Sequence, residues 1–243
     1  MICKLCLTDN KLVNSHIIPE FLYKTLYDEK THRFICITAD PSIVTYTKRK
    51  GYYEKLLCND CEEVISKYET YASRFLRGME KVKIIESEIL FTVEGINYKY
   101  LKLFLLSILW RVHISSKDQF KYVNLGSHAE LLRKMILDSD AGCPDRYLCF
   151  ASYNPIDSPK LSRLIITPEM IKINDYRCYR LYFAGIMWLI VVSSHSKRFK
   201  NKEYALSESG NLFIFKDVKN SRQYFSEHAK IFRKYKKYLK LDN

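Results

Sequence analysis

The sequence predicts an α+β protein: a small N-terminal module pinned by metal, then helices, then a mainly antiparallel β-rich half closed by a basic helix. Three observations predict it. Two Cys-x-x-Cys pairs, Cys3/Cys6 and Cys58/Cys61, bracket the first segment. After Asn59, apolar residues recur three and four positions apart. Beyond Gly142, apolar runs become short and rich in β-branched and aromatic residues. The chain divides accordingly into a module over 1–78 and an α+β accessory domain over 79–243, with helices in 98–138, a β-rich stretch at 146–216 and a basic helix at 221–239.

Each element has a local reason. Pro19 suits the first turn of a short helix over 19–27, because its fixed φ is helical and its missing N–H is not needed there. Residues 34–37 and 42–46 read as short strands turning at Asp40 and Pro41. Val64, Ile65, Tyr68, Ala72, Phe75 and Leu76 form one face of a helix from Asn59 that Gly78 ends. A strand over 83–93 leads through a turn at 94–97 into a buried helix ending near Ser115. A helix over 127–137 begins with Ser127 and Glu130 at capping-box spacing. Strands follow at 147–151, 164–167, 179–183, 186–192 and 212–215, and the one long loop, 193–210, is expected to be mobile.

Composition narrows the function. The 243 residues are 47% hydrophobic and 14% aromatic, enough for a substantial core. Forty Lys and Arg against 27 Asp and Glu leave a net charge of +13, which favours a polyanionic partner such as nucleic acid. The most apolar helical stretch, 98–110, contains Lys99 and Lys102 and stops at Arg111, short of the roughly 20 residues a membrane span needs, so no membrane partner is expected. No basic start and apolar block precedes Cys3, so the expectation is a cytoplasmic protein whose eight cysteines are thiols or metal ligands.

Each Cys-x-x-Cys pair places two sulfurs at two corners of a Zn²⁺ tetrahedron, so Cys3, Cys6, Cys58 and Cys61 make a four-ligand structural zinc site. The 51 residues between the pairs, 7–57, far exceed the roughly 15 to 20 of compact zinc modules, so folded structure must lie between the knuckles. Cys36, Cys143, Cys149 and Cys178 stand apart from other cysteines and read as small buried hydrophobes.

Between the pairs lies Asn14-Ser15-His16-Ile17-Ile18-Pro19, and Leu56-Leu57 precede the second pair, which opens a helix. This order resembles the HNH, or ββα-metal, endonucleases. It is similar in particular to uncharacterised bacterial HNH-related proteins carrying Ser-His-Ile-Ile-Pro-Glu-Phe, here 15–21, Glu-Lys-Leu-Leu-Cys, here 54–58, Ser-Ile-Leu-Trp-Arg, here 107–111, and Leu-Gly-x-His, here 125–128. The resemblance implies a zinc-knuckle ββα-metal-like module in which His16 is the general base of phosphodiester hydrolysis and a catalytic Mg²⁺ or Mn²⁺ stabilises the leaving oxygen. Two positions depart from the pattern: Ser15 replaces the usual aspartate, and Val64 stands where a His or Asn ligand is expected. Glu62 and Glu69, seven apart on one helix face, are the substitute carboxylates. His113, His128, His195 and His228 have no support in the motif.

Lys48, Arg49 and Lys50 run into Tyr52 and Tyr53, setting cations for phosphates beside rings for bases. In the terminal helix Lys230, Arg233, Lys234 and Lys237 alternate with Ile231, Phe232 and Tyr235, a basic face over an apolar one. Trp110 reads as core, and Arg111 as the partner of an acid such as Glu69 or Glu86. The expectation is an HNH-like metal-dependent nuclease acting on DNA or RNA, as an effector of antiphage or other bacterial defence or of a toxin system. The alternative is a catalytically inactive zinc-scaffolded module that binds nucleic acid or protein, as a subunit of a larger complex or a homo-oligomer.

Overall fold

The computed structural model describes residues 1–24, 27, 34–35, 47–48, 51–153 and 165–216. Two layers meet on one buried helix. A seven-stranded sheet is built from β5 (Lys83–Glu86), β6 (Leu90–Glu94), β7 (Cys149–Tyr153), β8 (Ile166–Ile173), β9 (Tyr176–Phe183), β10 (Ile186–Val191) and β11 (Leu212–Lys216). Its order is β5-β6-β11-β7-β10-β9-β8, and every neighbouring pair is antiparallel except β11 with β7. The protein is therefore α+β with a mostly antiparallel sheet.

The N-terminal layer contains β1 (Leu12–His16), α1 (Glu20–Tyr23), the two-residue strands β2 (Phe34–Ile35) and β3 (Thr47–Lys48), β4 (Tyr53–Cys58) and α2 (Asn59–Leu76). Between the layers lies α3 (Tyr98–Ile114), followed by α4 (His128–Leu137). Every residue of α3 from Leu101 to Val112 is buried, as expected of a helix that is apolar on most sides. Phe104 of α3 meets Phe183 of the sheet edge-on at 5.9 Å and Phe21 of the N-terminal layer at 5.9 Å. One apolar cluster runs from Cys3 to Ile214, continuous across the turn at Gly78 where the sequence places a domain boundary.

α2 ends where its glycine dictates. Gly78 takes φ +69 and its N–H reaches the Phe75 carbonyl, while Met79 N–H reaches that of Arg74. Asn97 caps α3 by accepting from Tyr100 N–H at 3.1 Å.

Several elements differ from expectation. The stretch 83–93 is a hairpin, β5 and β6, not one strand: Ser87 turns it by accepting from and donating to Leu90. Pro19 stands before α1, extended at ψ 136, and the helix is only four residues long. The capping box at Ser127 does not form. Ser127 is itself helical, the His128 and Ala129 N–H groups are taken by the Leu125 and Gly126 carbonyls, and Glu130 pairs with Arg133 instead. The loop 193–210 holds two 3-10 turns and is anchored, with Tyr204 edge-on to Phe213 and Phe215 and Leu206 N–H bonded to the Cys149 carbonyl. The strand expected at 42–46 and the basic helix at 221–239 lie outside the described residues. Among the described residues, no helix is long and apolar enough to cross a membrane.

Candidate metal centre and His16

The four cysteines converge. The sulfurs of Cys3, Cys6, Cys58 and Cys61 all lie within 4.8 Å of one another, with Cys6 and Cys58 3.9 Å apart. Zn–S bonds of about 2.3 Å give a tetrahedron with edges of about 3.8 Å, so the donor set fits a tetrahedral thiophilic ion.

The backbone builds this site from two directions. The first knuckle turns at Leu7, which takes φ +62 and bonds its N–H to the Cys3 carbonyl at 2.9 Å. The second knuckle is the start of α2, with Cys58 capping the helix and Cys61 in its first turn, where the helix dipole favours thiolate. A β-bulge joins the two knuckles. β1 and β4 are antiparallel, with Val13 opposite Leu57 but Asn14 opposite Lys55, leaving Leu56 as the extra residue. Its carbonyl accepts from Lys4 N–H at 2.9 Å, docking the first knuckle onto β4. The bulge also explains why Leu56, Leu57 and Cys58 are buried in succession where a regular strand would alternate.

Polar groups around the sulfurs complete the centre. Asn10 Nδ2 donates to Thr8 Oγ1 at 2.9 Å, which leaves the Thr8 hydroxyl proton for Cys6 Sγ, also at 2.9 Å. Burial acts to raise the Cys6 thiol, but the hydrogen bonds from Thr8, aided by those from Cys3 and Cys61, lower it to about 6. Burial pushes the Cys58 and Cys61 thiols up. Cys58 N–H donates to Cys3 Sγ at 3.4 Å. Arg133 of α4 donates to the carbonyl of Leu5 inside the first knuckle, bringing a cation to the cysteine cluster. Sequence reasoning missed Arg133, which lies far from the cysteines in the chain and is brought near them only by helix packing.

Of the remaining cysteines, Cys149 and Cys178 are buried as expected, whereas Cys143 is exposed, because it lies in the turn after α4 rather than in a strand. Cys36 is outside the described residues.

His16 ends β1, opposite Tyr53 of β4, with its side chain 35% exposed. Ser15 is wholly buried and its Oγ accepts from Leu57 N–H, so it faces away from the imidazole and satisfies a donor beside the bulge. The carboxylate that does meet His16 is Glu20, in the first turn of α1, with Oε2 3.4 Å from Nε2. Sequence reasoning missed Glu20; the available signal was its place four residues after the motif histidine, just past Pro19.

Glu69 is not free for an ion: its Oε1 lies 2.7 Å from Nη2 of Arg111, which is the pairing expected of that arginine. Glu62 keeps a buried Oε1 with no hydrogen-bond partner among the described residues. Val64 packs against the core. Among the described residues, the four cysteines are the only group of three or more His, Cys, Asp or Glu donors close enough for one metal ion.

The two tyrosines expected to stack on bases separate. Tyr53 is 42% exposed and edge-on to the His16 ring at 6.4 Å. Tyr52 is 4% exposed against Phe120, so its ring belongs to the core. The alternation of an extended strand puts the two on opposite sides. The side chains of Lys48, Arg49 and Lys50, and Lys230, Arg233, Lys234 and Lys237, lie outside the described residues. His113 and His128 hold loops, bonding to the Val123 carbonyl and the Tyr147 hydroxyl respectively.

Comparison with protein-family models, with characterised proteins and with solved structures finds no match.

Proposed function

We propose that the chain is an HNH-like nuclease in which structural zinc at Cys3, Cys6, Cys58 and Cys61 holds a ββα-metal-like unit, β1, β4 and α2, around His16. The observation that carries this reading is the convergence of four sulfurs from both ends of that unit, with an accessible imidazole on its first strand. Zinc here closes the fold and takes no part in the reaction, because four protein ligands leave no open position.

In the reaction His16 Nε2 takes the proton of the attacking water, and the Glu20 carboxylate stabilises the imidazolium that results. Tyr53 offers an exposed ring to a base beside the scissile phosphate. Glu62, with its unpartnered buried oxygen, would be the carboxylate to hold a catalytic Mg²⁺ or Mn²⁺. Such an ion, when bound, neutralises the charge developing on the leaving oxygen. The net charge of +13 draws DNA or RNA to the surface.

Cleavage of plasmid DNA and of a structured RNA with Mg²⁺, Mn²⁺ or chelator, comparing the protein with His16→Ala, tests the proposal. Metal-dependent cleavage that falls at least 100-fold in the variant is expected. Equal rates from the two proteins remove His16 from catalysis. A second reading, a zinc-scaffolded module that binds nucleic acid or protein without cleaving it, is favoured by Val64, which fills a ligand position with core packing. Retained nucleic-acid binding with no cleavage under any metal decides for it.

A further inference from the structure

Two cations are sealed inside α3, and they differ in what they touch. Lys102 Nζ meets the Tyr98 hydroxyl at 2.7 Å and the Cys143 carbonyl at 3.0 Å, which ties down the turn after α4. Arg111, 1% exposed, reaches into the N-terminal layer. Its Nη1 donates to the His16 carbonyl at 2.6 Å, Nη2 lies 2.7 Å from Glu69 Oε1, and Nε donates to the Ser107 carbonyl at 3.3 Å. Ser107 Oγ accepts from Nη2 at 3.4 Å.

A buried guanidinium is costly to desolvate, and an apolar side chain of similar volume at such a place is often neutral or stabilising. The neighbours of Arg111 on α3, Leu109, Trp110 and Val112, are buried apolar residues, so packing alone does not call for a cation there. What an apolar side chain lacks is a donor for the His16 peptide. That peptide lies where β1 gives way to the turn before Pro19, and it carries the imidazole facing Glu20.

We infer that Arg111, held by Glu69, is a positioning residue that fixes the His16 peptide and so sets the imidazole against Glu20. The inference rests on the reading of His16 as general base. His16 is constrained from two sides. β4 and the zinc knuckles constrain His16 through the strand ladder from one side, and Arg111 constrains its carbonyl from the other. α2 joins the two constraints, since Cys61 lies in its first turn and Glu69 two turns further on. A misplacement of about 1 Å in a catalytic group can cost about 100-fold in rate, so a fixed peptide matters more here than its share of stability.

The test uses the full chain with zinc bound and the variants Arg111→Met, Arg111→Lys and Glu69→Gln. Zinc content is measured for each, along with kcat and KM on the cleaved substrate and the histidine ring ¹H–¹³C spectrum, in which His16→Ala assigns the His16 signals. Arg111→Met is expected to keep one zinc, to lower kcat about 10- to 100-fold with KM changed less than 3-fold, and to shift the His16 ring signals while those of His113 stay in place. Arg111→Lys is expected to recover part of kcat, and Glu69→Gln to fall between wild type and Arg111→Met; Glu69→Gln carries the test if Arg111→Met does not fold. Zinc-bound Arg111→Met, or Glu69→Gln in its place, with unchanged His16 signals overturns the inference. Shifted His16 signals with unchanged cleavage retain the positioning role and refute the general-base reading, so the two failures are distinguishable.

Discussion

Removing the metal should undo the N-terminal layer. Cys6 and Cys58 are 52 positions apart, and a cross-link closing a loop of that length stabilises a fold by about 4 kcal/mol through the entropy it removes from the unfolded chain. Besides the burial of Cys3 and Leu5 in the core, the first knuckle is tied by the bridge of Ile2 with Asp9, the Lys4 bond to Leu56 and the Arg133 bond to Leu5. For a chain of this size about 4 kcal/mol corresponds to a fall in Tm of about 8 to 16 °C. Elemental analysis of the purified protein should find one zinc per chain, and calorimetry after exhaustive chelation should show that fall, with zinc reversing it. Cys6→Ser should reproduce the loss, whereas Cys143→Ser, an exposed cysteine outside the cluster, should not. Protein purified without zinc whose Tm is indifferent to chelator and to Cys6→Ser would refute the structural role of the cluster, and with it the framework that presents His16.

Four other outcomes are expected. Arg133→Met removes the donor to Leu5 and the cation beside the cysteine cluster, so zinc affinity measured by chelator competition should fall about 10- to 100-fold. Glu20→Gln should lower kcat about 10-fold, a modest effect because the pair is half open to water, and should leave zinc content unchanged. Gly210→Ala should destabilise by more than about 2 kcal/mol in a thermal melt, because Gly210 takes φ +80 and an added Cβ would lie 2.5 Å from the Ile96 carbonyl oxygen. Acid should weaken the contact between β4 and the end of α3. Burial acts to raise the Glu54 carboxyl, but hydrogen bonds from Ser116 and Ser115 and the nearby charge of Lys117 hold it below its ordinary value. A carboxyl lowered in the folded state contributes stability that is complete above its unfolded pKa and is lost as pH falls through the folded one. Tm should therefore drop more steeply below about pH 4.3 in the wild type than in Glu54→Gln.

Much of the candidate site was legible because metal ligation imposes short-range spacing. Two Cys-x-x-Cys pairs name all four cysteines of the cluster, and the length between them requires intervening structure, which β1, the bulge and β4 supply. Helical periodicity placed α2, α3 and α4 within a few residues, and the apolarity of α3 on most sides marked it as buried. Local signals failed where tertiary contacts compete. Ser127 and Glu130 have capping-box spacing, yet Ser127 is itself helical, carbonyls of the preceding turn take the His128 and Ala129 N–H groups, and Arg133 takes the Glu130 carboxylate. Tyr52 and Tyr53 are adjacent in sequence but lie on opposite sides of an extended strand, so only one ring is open.

By itself the sequence determined the four cysteines of the cluster, the α+β class and the excess of positive charge, since these depend on residue type and short spacing. The tertiary structure alone decided which groups meet His16. Glu20 approaches it because the chain bends at Ile17 and Ile18, Ser15 is turned inward beside a bulge, and Arg111 reaches the His16 carbonyl from 95 positions away because α3 runs through the core. Contacts of that kind follow from how layers pack, which local spacing along a chain does not specify.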